Sequence, residues 1–153
     1  MDTGEVKAKF RIDVISTYAA SFVLVQAVII LPVSYFALVY HHFRLVGCLY
    51  AGVSALLVGF VAYAAARHSE KAFYGFTTAA ATVLLAWLLV LLSGWLYGAV
   101  GAWKKLLDGD FLVHFNRAAG IGMRAPWAWI LAGVLTIAGS FAGARAARPV
   151  QID

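Results

Sequence analysis

Imidazoles are the side chains in this chain best suited to ligation or proton transfer, and there are four of them: His41, His42, His68 and His114. Two on facing helices would make the axial ligand pair of a b-type haem, because neutral imidazole is a common ligand of haem iron. Their spacing restricts the pairings. His41 and His42 close one apolar run and His68 closes the next. In an up-and-down helical hairpin those two ends lie on opposite sides of the membrane, so His68 cannot join His41 or His42 on one haem. His114 falls on the same side as His41 and His42, which leaves one allowed pairing. The expectation is no cofactor, with haem b held by His41 or His42 and His114 as the alternative.

Other chemistry is thinly represented. Asp108 and Asp110 flank Gly109, but two carboxylates without further oxygen ligands do not make a cation site. The single cysteine, Cys48, can form neither an intramolecular disulfide nor a Cys-based metal centre. No metal site and no catalytic residue is expected. There is no Gly-rich phosphate loop, nucleophile elbow or His-Glu-x-x-His pattern. Arg117, in the run His114-Phe115-Asn116-Arg117, is a candidate for a lipid phosphate.

The elements that must position these residues are apolar helices. Of the 153 residues, 63% are hydrophobic and 12% charged, about half the charged share of a soluble domain. Four runs are long enough to cross a hydrocarbon core about 30 Å thick: 14–40, 46–66, 72–100 and 126–144. The fold class expected is all-α, a single polytopic membrane domain over 1–153 built as a bundle of four transmembrane helices. The first run is too long for the apolar region of a signal peptide and is read as a retained span. Pro32 lies inside it and withholds a donor from the carbonyl of Val28. The short link His41-His42-Phe43-Arg44 makes the first two spans antiparallel neighbours.

Between the third and fourth spans, Trp103, Leu106, Leu107, Phe111, His114, Phe115 and Ala118 recur at three- and four-residue steps. That pattern predicts an amphipathic helix over about 103–118, lying in the membrane interface. Trp103, Lys104, Lys105, Arg117, Arg124, Trp127 and Trp129 are the expected interfacial and lipid-contacting residues, since aromatic rings and basic side chains concentrate at headgroup depth.

Small residues mark the faces that pack. Gly47, Ala51, Ala55 and Gly59 fall four apart on the second span, Gly94 and Gly98 on the third, and Ala132, Thr136 and Ser140 on the fourth. Four-residue spacing puts them on one helical face, where small side chains let backbones approach. Gln26 is the most polar residue near the middle of any span, and an interhelical hydrogen bond is its expected role.

No Asp, Glu, Lys or Arg lies in the central part of any span. Ion-coupled transporters, proton relays and voltage sensors place charge there, so those classes are disfavoured. The net charge of +5 sits at the ends of the apolar runs, a distribution that fits lipid headgroups and not nucleic acid. With four spans both termini share a side, carrying seven of the twelve Lys and Arg residues; the excess favours cytoplasmic termini and a bacterial inner membrane. The reading that follows is an accessory or structural subunit of a larger membrane complex, contacting other subunits and lipid, more a non-enzyme than an enzyme. A small homo-oligomeric transporter, channel or lipid-handling protein is the alternative, and a haem- or quinone-associated redox subunit the third.

Overall fold

A computed structural model describes residues 12–99 and 110–147, with the side chains of the helix that opens at Asp110 described from Arg117 onward. Among the described residues the chain forms five helices: α1 (Ile12–Tyr40), α2 (Phe43–Ser69), α3 (Ala72–Ala99), α4 (Asp110–Met123) and α5 (Pro126–Ala146). Four of them, α1, α2, α3 and α5, are long and apolar enough to cross a membrane. The chain is an all-α membrane bundle, as its composition requires. The positions Trp103, Lys104 and Lys105 lie outside the described residues, as do the surroundings of Gly94 and Gly98 on α3.

Both tight connections turn through a left-handed residue. His41 (φ 53°) links α1 to α2, and Glu70 (φ 60°) ends α2 before α3. A β-carbon disfavours this conformation by roughly 1–2 kcal/mol, and the packed helices on either side hold it. α1 is continuous through Pro32, whose ring faces outward. α1 and α2 are antiparallel: Tyr18 meets His68 near one end, and Gln26 meets Ser54 near the middle. α3 and α5 are antiparallel as well, with Phe76 against Phe141 and Trp87 against Trp129.

α2 is the hub, touching every other helix. Its small-residue face, Gly47, Ala51, Ala55 and Gly59, is buried along its length. The partners on that face come in order. Gly47 abuts the backbone of Ala118 and Gly122, and Gly52 lies under the ring of Trp127. Gly59 abuts Leu135 and Gly139, and Gly143 meets the backbone of Tyr63 and Arg67. Positions on α2 and positions on α4–α5 advance together, so α4 and α5 run in the same direction as α2, nearly end to end. α5 alone has the length of the fourth span, and α4 precedes it across a break at Arg124-Ala125. Both pack on α2 and α3, while α1 touches α4 but not α5 among the described residues.

This alters the expectation for the connecting helix. α4 continues past Ala118 to Met123, and its last turns enter the bundle: Ala118 and Ala119 are fully buried and Met123 packs into the central cluster around Phe22 and Val58. Small residues set the docking of these last turns, because backbones approach where no side chain stands between them.

Candidate functional site

Three features have the geometry of a site, and they occupy different levels of the bundle. At mid-depth, Gln26 is 1% exposed and its Nε2 donates to Ser54 Oγ at 3.0 Å. Ser54 also pairs with the Tyr50 side chain one turn earlier on α2. An amide inside an apolar bundle needs such a partner, since water is absent there. Gln26 Oε1, Thr78 Oγ1 and Ser140 Oγ are buried with no hydrogen-bond partner among the described residues. Thr82, also fully buried, donates to the Ala79 carbonyl at 2.8 Å. Beside this level lies a cavity of about 60 Å³, lined almost wholly by apolar groups including Phe22, Val58, Trp87 and Met123. It has the volume of a gap between helices and the lining of a dry one.

The second feature is the break between α4 and α5. Pro126 has no N–H for the Gly122 carbonyl, which accepts from Ala125 N instead, at 3.0 Å. The Met123 carbonyl accepts from Trp129 Nε1 at 2.7 Å. Trp129 then stacks on Trp87, with ring centroids 6.1 Å apart and 20° between planes. The break is thus closed by side-chain and turn hydrogen bonds of its own. Trp127 and Trp129 remain partly exposed, but the indole of Trp129 is directed at the break, a role that aromatic-belt reasoning did not include. Between α3 and α5, below this point, runs a groove of about 360 Å³ walled by Ala79, Ala80, Ala132, Gly133, Thr136 and neighbouring aromatic rings.

The third feature is basic. His41, His42 and Arg44 of the α1–α2 turn come together with Arg117 of α4 around a surface pocket of about 430 Å³. The guanidinium of Arg117 lies 4.4 Å from the centre of the Phe43 ring, a cation–π contact that holds α4 against the turn. His114 lies on α4 one turn before Arg117, its side chain outside the described set. His68 is at the opposite end of α2, beside Tyr18. Arg124 is exposed at the break. Among the described residues no three His, Cys, Asp or Glu side chains cluster as a metal site would require.

The small residues singled out in sequence divide by neighbour. Gly47, Ala51 and Gly59 contact α4 and α5, and Ala55, on the same face, lines the small cavity. Ser140 stands against Gly75 of α3, while Ala132 and Thr136 wall the groove. The α5 residues that touch the α2 backbone are Gly139 and Gly143, which sequence reasoning missed; their own four-residue spacing was the available signal. No family model matches this chain, and neither does any curated protein or solved structure.

Proposed function

We propose that this chain is an accessory subunit of a larger integral membrane assembly, and that the groove between α3 and α5 seats a transmembrane helix of another subunit. The observation that carries the reading is the state of α5. It packs on α2 along one face and meets α3 at its two ends, at Trp129 and at Ser140, while between them the seam with α3 is left open and walled by Ala79, Ala80, Ala132, Gly133 and Thr136. A β-carbon placed on Gly133 would meet nothing within 4 Å. A groove of short side chains is the surface on which a second helix packs in lipid, where close backbone approach and not apolar burial drives association. Extraction in mild detergent followed by mass measurement of the native assembly tests it. Stoichiometric partner chains are expected, and Gly133→Leu, which fills the groove, should release them while this chain stays folded. A chain that comes out alone, as monomer or homo-oligomer, overturns the reading.

A second reading, a small channel or transporter, draws on the unpartnered atoms Gln26 Oε1, Thr78 Oγ1 and Ser140 Oγ, which ordered water along a path would satisfy. It requires Gln26→Leu to abolish flux in reconstituted vesicles without loss of assembly; preserved flux removes it.

A further inference from the structure

The basic pocket and a second groove are walls of one surface. The pocket is bounded by His41, His42, Arg44, Leu45 and Arg117. A groove of about 360 Å³ runs from His42 and Leu45 down between α1 and α2, past Val46, Leu49, Pro32 and Val33, as far as Val53 and Ile29. His42 and Leu45 belong to both. Among the described residues the upper part holds two guanidinium groups and two imidazoles, with no carboxylate in its lining. It also sits at the N-terminus of α2, where His42 supplies no side-chain cap and the helix end favours an anion. The lower part is almost entirely apolar. From His42 to Val53 the helix rises by about 16 Å, the length of much of an acyl chain.

From this juxtaposition we infer that the α1–α2 face is a binding site for one anionic phospholipid, its phosphate between Arg44 and Arg117 and one acyl chain along the groove. A free phosphate satisfies the upper part alone; the apolar groove that continues from it selects the lipid. Arg117 reaches the site from α4, so lipid binding ties the α1–α2 turn to α4. Guanidinium groups suit this task because their planar donors match phosphate oxygens in pairs. The imidazoles add N–H donors at the same rim.

The experiment is lipid retention by the full-length chain. The protein is delipidated in neutral detergent, returned to bilayer discs of phosphatidylcholine with one-tenth phosphatidylglycerol, re-extracted, and weighed with its bound lipid by native mass spectrometry. One retained phosphatidylglycerol per chain is expected, several-fold over its share of the bilayer. Arg44→Gln and Arg117→Gln, both at exposed positions, should each lower that enrichment roughly five-fold. Arg67→Gln, at the far end of α2, should leave it unchanged. Leu49→Trp, an exposed substitution that crowds the groove, should lower retention with the basic rim intact. Equal losses in Arg67→Gln would show general attraction to the basic surface and overturn the site. Retention in the Arg44→Gln/Arg117→Gln double variant would also overturn it. Full displacement by millimolar inorganic phosphate, together with no effect of Leu49→Trp, would assign the pocket to a free anion and overturn the lipid. A helical circular dichroism signal and a single sharp elution peak in each variant exclude misfolding as the cause.

Discussion

Trp129 donates its indole N–H to the main-chain carbonyl of Met123 across the proline that separates α4 from α5. The bond replaces the backbone donor that an uninterrupted helix would have provided to that carbonyl. Trp129→Phe keeps the ring against Trp87 and removes only the donor. The expected loss is at most about 1 kcal/mol, the net worth of a typical intramolecular hydrogen bond. Equilibrium unfolding in mixed detergent and SDS micelles measures it. A variant as stable as the parent would show that Met123 finds another donor.

The contact between Gly59 and Gly139 leads to a paired prediction. A β-carbon at Gly139 would lie 2.5 Å from the Gly59 carbonyl oxygen, so Gly139→Ala must push α5 off α2. The cost should be about 1–3 kcal/mol, typical of overpacking. At Gly133, six residues earlier on the same helix, a methyl group meets open space. Gly133→Ala should be neutral or stabilise by up to about 1 kcal/mol, the helix-propensity gain of alanine over glycine. Similar effects at the two positions would contradict the packing described.

How far the sequence alone reaches is set by what kind of property each feature is. Crossing a membrane depends on length and freedom from charge, which are one-dimensional, and the spans were readable for that reason. The α2 stripe was readable because every member is small and the helix has only one such face. α5 has two: Ala132-Thr136-Ser140 and the pair Gly139-Gly143, each at four-residue spacing. Which one meets α2 depends on the placement of α3 and α2 together, and no periodicity ranks them. The docking of α4 was not readable for a related reason. Its apolar residues suggested an interfacial face, whereas the residues that dock it, Ala118, Ala119 and Gly122, have almost no hydrophobic signature. The basic pocket was half visible, since Arg44 and Arg117 are separated in sequence by two entire spans.

The docking of α4 against α2 predicts a cross-link. Ala118 and Val46 share one buried cluster with Ala37. In a Cys48→Ser background, Val46→Cys with Ala118→Cys should form a bridge within one chain, by oxidation or with a short bis-thiol reagent, detected as a mass change in the monomer. An α4 lying flat on the membrane surface would leave the two thiols apart, and the bridge would fail. Phe76→Cys with Phe141→Cys is the control, because that α3–α5 contact does not depend on α4.

The hydrogen bond between Gln26 and Ser54 makes the final prediction asymmetric. Removing both polar partners from a buried pair is far less costly than removing one. Ser54→Ala leaves the Gln26 amide buried, its oxygen already without a partner among the described residues and its nitrogen now without one too. That should cost about 1–3 kcal/mol. Gln26→Leu eliminates the buried amide and leaves Ser54 its contact with Tyr50; the change should stay within about 0.6 kcal/mol, the average worth of such a bond in a membrane bundle. Adding Gln26→Leu to Ser54→Ala should therefore recover most of the stability that Ser54→Ala alone loses, which is a coupling that unfolding in mixed micelles resolves. Strictly additive losses would mean that the two side chains do not meet, and the antiparallel register of α1 against α2 would have to shift.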